Sequence, residues 1–439
     1  MDPERTPLAT APPQFPTHGR LLIEGWRGVN HSFALVNQCQ ILELLKLPGL
    51  QLFHRDLPLA MPHWSPATHG PGFPAEDLSR IAALRAPQGV AVDCIYRITS
   101  PFRSGEDCVE AHGDAVPTIS FMVTEMGLTP RSFEPGAGHS DRFTRNANLI
   151  VTPTRWSRER LLEWGYAPDK VHVVTHGVNS ATFYPLDPET RASNRRNLGH
   201  DDGHCVFVNL GAAMWNKGMD VLLLAHATLR QKHKHVRLVL KDQRSLYGVG
   251  IEGTIARLCQ EHPGLFTADT LASISTVGTN LSQQQLRLLY GIADGYVSTY
   301  RAEGFNLPVL EAIACGTPAL VTAGGATDDF CHPGVAVRID SRPGTLNDAE
   351  HERAARYREP DLDATVHAMA DLALGRGLVR SAAMDTAGRA LARNLSWNRA
   401  VSELLALTPL NRRPEPSLAK VSGWPEAARL PSETCCSKS

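Results

Sequence analysis

Short apolar runs of strand length alternate with amphipathic helical segments along nearly all of the chain between residues 19 and 407. In the first half GRLLIEGW, GVAVDCIYRI, VPTISFMVTE, NLIVTPT and KVHVVTHGVN read as strands, with helices at SFALVNQCQILELLKL and TRWSRERLLEWGY. In the second half HCVFVNLGA, VRLVLKD, ASISTVG, DGYVSTY and PALVTA read as strands. Helices fall between them at GMDVLLLAHATLRQ, GIEGTIARLCQEH and SQQQLRLLYGIA. Strand, helix, strand in sequence calls for right-handed crossovers onto parallel sheets. A chain of 439 residues is too long for one ordinary core. The Pro-rich, charged zone from Asn179 to His204 reads as the linker between two domains. Two doubly wound Rossmann-like domains, 19–185 and 200–390, then face each other across a cleft, with 391–407 a terminal helix crossing back. Residues 1–18 and 408–439 lack periodic apolar pattern and read as disordered tails.

Forty-four basic and 45 acidic residues leave a formal charge of −1, so no global field favours nucleic acid or an anionic membrane. Any anion must be held locally. No apolar run reaches the roughly 18 residues that cross a bilayer, and the first twenty residues lack a signal-peptide core. The expectation is a soluble, cytoplasmic protein, with peripheral membrane association left open. The nine cysteines have no C-x-x-C spacing and fit reduced thiols better than a disulfide framework or zinc site. His233 and His235 alternate with charges before a strand and read as a solvated helix end rather than metal ligands.

The stretch YRAEGFNLPVLEAIACGTPALVTAGG, Tyr300 to Gly325, carries the densest chemistry. Pro308 suits a first helical turn, because its missing N–H would be unpaired there, and Gly316 and Pro318 end the helix. The free amides and positive dipole end of such a helix make a phosphate site at a strand's carboxyl edge. Glu303 precedes the helix and Glu311 lies about one turn inside it. Carboxylates suit hydroxyls rather than phosphate. Hydroxyls at both ends with phosphate between them describe a nucleoside diphosphate sugar; the residues alone also fit an ordinary strand-to-helix corner.

AEGFNLPVLEAIACGTPALVT resembles the E-x7-E signature of glycosyltransferase family four, retaining enzymes of the GT-B fold. Similar texture appears in LRLLYGIADGYVSTYRAEGF, GGATDDF, NLGAAMWNKGMDVLLLAHATL, KVHVVTHGVNSATFYP and NLSWNRAVSELL. The likeness is specific over the second half and weaker over the first 150 residues. It implies that Glu303 contacts the donor sugar, that Glu311 holds the nucleotide ribose, and that Gly304, Phe305, Asn306 and Leu307 cradle sugar and diphosphate. It also implies that Lys217 neutralises the diphosphate, and that backbone near Thr276 holds the base.

One departure stands out. The family's G-R-x-x-x-x-K-G pattern reads here Gly211, Ala212, Ala213, Met214, Trp215, Asn216, Lys217, Gly218, with alanine where an arginine is expected. Arg244 either supplies the missing cation or is a surface arginine; a third reading is an impaired active site. In the first half, Gly28 lets the chain approach the donor phosphate closely. Asn30 and His31 sit at the entrance of the first helix, with His31 either a cleft contact or a cap. Where the family often carries a cleft histidine, this chain has Thr124 and Glu125, either of which can position the acceptor.

The resemblance thus implies metal-independent transfer of a hexose from a nucleoside diphosphate sugar to an acceptor hydroxyl, with retention and no cofactor. The acceptor is a saccharide, lipid or small molecule, and nucleic acid is not expected as a partner. Two other readings compete: a catalytically weak sugar-nucleotide-binding or scaffold protein, and a GT-B sugar-nucleotide epimerase.

Overall fold

The computed structural model describes residues 18–103, 116–135, 141–346 and 355–411. Most of both tails, with Cys435 and Cys436, and also Cys108, lies outside them. The N-terminal domain runs β1 (Gly19–Gly25), α1 (Ser32–Leu44), β2 (Leu50–Asp56), α2 (Pro66–His69), α3 (Ala75–Ala83), β3 (Cys94–Ile98), β4 (Thr118–Phe121), β5 (Leu149–Thr152), α4 (Arg155–Trp164) and β6 (Val171–Val173). Its parallel sheet has the order β2-β1-β3-β4-β5-β6. β2 is a strand that the apolar pattern does not signal. It lies at the sheet edge and carries His54, Arg55 and Asp56 among only partly buried neighbours, so it lacks a continuous apolar run.

The chain continues through α5 (Pro188–Asn197), β7 (Cys205–Leu210), α6 (Met219–Lys232), β8 (Val236–Lys241), α7 (Arg244–Tyr247), α8 (Ile251–Glu261), α9 (Ala268–Ala272), β9 (Ile274–Val277), α10 (Gln283–Ile292), β10 (Gly295–Ser298), α11 (Leu307–Ala314), β11 (Ala319–Thr322) and β12 (Ala336–Ile339). The second parallel sheet has the order β12-β11-β10-β7-β8-β9. Strand order therefore reverses between β7 and β10, where a doubly wound sheet opens a crevice at its carboxyl edge.

Three boundaries differ from the sequence expectation. The expected linker contains α5, capped by Asp187 and anchored when Arg191 and Arg195 both grip Asp294 at 2.6 and 3.1 Å. Polar composition hid it, because its inward face is held by ion pairs rather than by apolar packing. β13 (Ser341–Leu346) and β14 (Ala355–Pro360) form an antiparallel pair outside both sheets. Arg301, near the start of the loop after β10, holds this pair through Glu359 at 2.8 Å while also gripping Asp220 at 2.8 Å.

α12 (Leu362–Ala373) and α13 (Ala382–Asn394) complete the C-terminal domain, and α14 (Trp397–Ala406) packs on α1. The crossing occurs at Leu395–Ser396, where the Val178 amide donates to the Leu395 carbonyl at 2.9 Å, so residues 391–394 still belong to α13. A Cβ at Gly177 would lie 2.2 Å from the Trp397 nitrogen, so only glycine allows this backbone crossing. Order then persists past residue 408: Leu410 is buried in the N-terminal core beside Gly19. The described cysteines are all free.

Candidate active site

A cavity of about 420 Å³ lies between the domains, and most of its wall comes from loops that leave the carboxyl ends of strands. β1 leads to Asn30 and His31, β3 to Ser100 and Phe102, and β4 to Val123, Thr124 and Glu125. Opposite them, β7 leads to Gly211, Ala212 and Lys217, β8 ends in Lys241, and β10 leads to Glu303 and the Gly304–Pro308 turn. The cavity sits where the strand order of the second sheet reverses.

The turn before α11 is shaped by Asn306, which adopts φ 77° and ψ 64°. Asparagine tolerates this left-handed conformation because its short amide bonds locally; here Nδ2 donates to Ser298 Oγ at 2.9 Å. Gly304 is pinned to the other domain. Its carbonyl accepts from Thr154 Oγ1 at 2.9 Å, and a Cβ there would lie 2.2 Å from Val123 Cγ2. Phe305 packs edge-on against His176, which stacks on Phe121 and touches Trp397, so one aromatic column joins the turn before α11, the loop after β6 and the terminal helix. Burial pushes the His176 imidazole down to about 3, keeping it neutral there.

Lys217 Nζ lies 2.9 Å from Glu125 Oε1 and 3.0 Å from Glu303 Oε1. Burial opposes the ammonium, but the two carboxylates outweigh it and hold its pKa above the ordinary lysine value. Asn216 Nδ2 also donates to Glu125. Burial raises Glu303 to about 7, with Lys217 opposing and Glu125 adding to the rise. Glu311 is raised to about 7 by burial, against a 2.7 Å hydrogen bond from the Tyr290 hydroxyl. His31 caps α1, its Nδ1 accepting from the Phe33 amide at 3.2 Å, and still lines the cavity. Burial first and Lys217 second push its imidazole down to about 4. Asn30 Nδ2 donates to Asn280 Oδ1 at 2.9 Å across the cleft, and Thr124 Oγ1 is committed to the Gly127 carbonyl at 2.6 Å.

Three expected site residues do not reach the cavity. Gly28 has φ 82°, faces Pro66 and gives its amide to Gln38 Oε1 at 3.0 Å, so its glycine serves the turn rather than a phosphate approach. Arg244 is exposed and 3.8 Å from Glu252. α7 turns its other side to the first domain, where the Leu246 carbonyl accepts from Trp64 Nε1 at 2.7 Å and His69 Nε2 meets the Ser245 carbonyl at 2.9 Å. Thr276 is exposed on the edge strand β9, two strands from the crevice. Lys241 and Tyr290 were not expected here. Lysine as the last residue of VRLVLK is the available signal for the first, since strand carboxyl ends face the ligand in such sheets.

The Glu311 shift has a measurable consequence. The unfolded chain releases this proton near pH 4.5 and the folded one near 7, so the stability from retaining it is full below 4.5 and lost as pH rises through 7. Glu303 acts in the same direction. In urea titrations at about pH 5 and pH 8, Glu311→Gln is expected to lose less stability with rising pH than the wild type, by roughly 3 kcal/mol at most. Equal slopes would contradict the buried, protonated state.

Two doubly wound domains meeting at a cleft, with a glutamate-flanked helix start at the β7/β10 reversal, define the GT-B fold. Residues 190–349 match the sequence profile of the family described as Glycosyl transferases group 1. D-inositol 3-phosphate glycosyltransferase 1 of Catenulispora acidiphila is 28% identical over 313 residues, covering 68% of this chain and 67% of that protein. D-inositol 3-phosphate glycosyltransferase of Actinosynnema mirum is 32% identical over 239 residues, covering 54% of this chain and 51% of its own length. The chain thus spans about two thirds of one relative and half of the other. Anabaena HepE, solved in complex with UDP and glucose, superposes with a TM-score of 0.58 at 16% identity, covering 89% of this chain and 98% of HepE. That similarity concerns the fold.

Proposed function

We propose that this protein transfers a hexose from a nucleoside diphosphate sugar to an acceptor hydroxyl, with retention at the anomeric carbon. The carrying observation is that Glu303 and Glu311 line one cavity with the first turn of α11 between them. The helix start offers amides and a positive dipole end to the diphosphate. Glu303 accepts from sugar hydroxyls and Glu311 from the ribose. Lys217 sits where charge develops on the departing phosphate, the kind of preorganised donor that lowers such barriers most. In this reading that phosphate takes the acceptor proton on the same face, and no resident metal or cofactor takes part.

The acceptor enters from the first domain, whose wall combines Phe33, Phe102, Phe121 and Val123 with Asn30, His31 and Glu125. Among the described residues no helix is long and apolar enough to cross a membrane. The names of the relatives support transferase chemistry. Ala212 favours one alternative, a weakly catalytic sugar-nucleotide-binding protein. The test is nucleotide release from a panel of UDP and GDP sugars, with and without acceptor alcohols, and the anomeric form of the product by NMR. Acceptor-dependent release with retained configuration is expected; saturable donor binding without release under any condition would establish the alternative.

A further inference from the structure

We infer that Lys241 is the second cation for the donor diphosphate and takes the place of the arginine missing at Ala212. The inference rests on the donor reading above. Among the described residues lining the cavity, Lys217 and Lys241 are the cations. Lys217 is already shared by two carboxylates, Glu125 and Glu303. These three groups together carry no spare positive charge when both acids are ionised, so Lys217 alone is a poor counterion for a diphosphate.

Lys241 differs in each respect. Only 6% of it is exposed, yet among the described residues no carboxylate lies within ion-pair distance of its ammonium. Its Nζ donates to the backbone carbonyl of Asp242. The Asp242 carboxylate turns elsewhere, toward the Ile251 amide at the start of α8, at 3.4 Å. A buried ammonium with one carbonyl for company is costly. Burial accordingly lowers its pKa, with Asp242 opposing. Such a group is explained by a ligand that supplies the missing anion.

Its place on the sheet specifies the anion. In the β7/β8 ladder Leu210 pairs with Lys241, and the Gly211 amide donates to the Lys241 carbonyl at 3.3 Å. Lys241 therefore stands one strand over from the Gly211–Ala212 turn, with a flexible four-carbon stem to reach the same phosphate oxygens. Ala212 presents only a methyl group to the cavity it lines. The charge has moved from the loop after β7 to the end of β8.

The test compares the wild type with Lys241→Met, Lys241→Arg and the double variant Ala212→Arg/Lys241→Met. Inorganic pyrophosphate serves as a base-free probe in calorimetry at low salt, beside UDP, GDP and thermal unfolding without ligand. Lys241→Met is expected to weaken pyrophosphate at least tenfold, and to lower kcat about 10²-fold where turnover is found. Its melting temperature should be unchanged or higher, because an uncompensated buried charge has been removed. Lys241→Arg should bind as the wild type does, and the double variant should recover most of the loss. Wild-type affinity in Lys241→Met, a fall in its melting temperature, or no pyrophosphate binding by the wild type would each overturn the inference. Pyrophosphate binding that depends on Lys241, without turnover of any sugar nucleotide, would instead sink the transferase reading alone.

Discussion

Glu303→Ala is expected to reduce kcat for transfer by about 10²–10³-fold, the range seen when one preorganised polar partner is removed from a reacting centre. Glu303 occupies two roles at once. Its carboxylate lines the cavity, where the proposed transfer uses it as an acceptor for sugar hydroxyls, and it holds Lys217 Nζ at 3.0 Å. Alanine deletes the hydroxyl acceptor and leaves Lys217 paired with Glu125 of the other domain alone. The ammonium is then drawn away from the sugar side of the site. Glu303→Gln keeps the shape and one acceptor oxygen, so it should fall between the two. Nucleotide release and product formation are the measurements, with calorimetric donor binding as the control. Undiminished release by Glu303→Ala would remove this residue from the site.

Gly218→Ala should be the most damaging single change to the fold near the site, costing more than about 4 kcal/mol. Gly218 has φ 63° and ends the turn that carries Lys217. A Cβ there would lie 1.7 Å from the Thr299 carbonyl oxygen and 2.7 Å from its carbon, and backbone cannot yield as a flexible side chain can. The same contact is held by Thr299 Oγ1, which donates to the Gly218 carbonyl at 2.8 Å. The loops after β7 and β10 are locked together there. Gly165→Ala separates strain from collision: Gly165 also has positive φ, at 117°, but nothing lies within 4 Å of its added Cβ. That variant should lose only the left-handed backbone cost of about 1–2 kcal/mol. Soluble yield and urea midpoints measure the difference, and similar losses in both variants would refute the collision.

Local pattern carried the architecture a long way. All strands of the two parallel sheets except β2 and β12 follow from strand-length apolar runs separated by amphipathic helices, and the turn before α11 from Pro308 and the residues around it. Several elements it hid take their stability from elsewhere, while β12, α3, α12 and α13 went unread although each buries apolar residues. α5 is held by Asp294, β2 by one neighbouring strand, and the β13/β14 pair by Arg301. None of these contacts leaves an apolar period in the residues themselves.

The sequence by itself determined that two doubly wound domains form, that a glutamate-flanked helix start lies at a strand's carboxyl edge, and that Ala212 lacks a cation. Only the tertiary structure decided which charges meet. Whether Arg244 or Lys241 enters the cavity depends on α7 presenting Leu246 and Tyr247 to the first domain, which leaves Arg244 outside. Whether Lys217 is free depends on Glu125, 92 positions away in sequence and supplied by the opposite domain. Hydrophobic periodicity records which face of an element is buried. It does not record which side chain from a distant element will be buried against it.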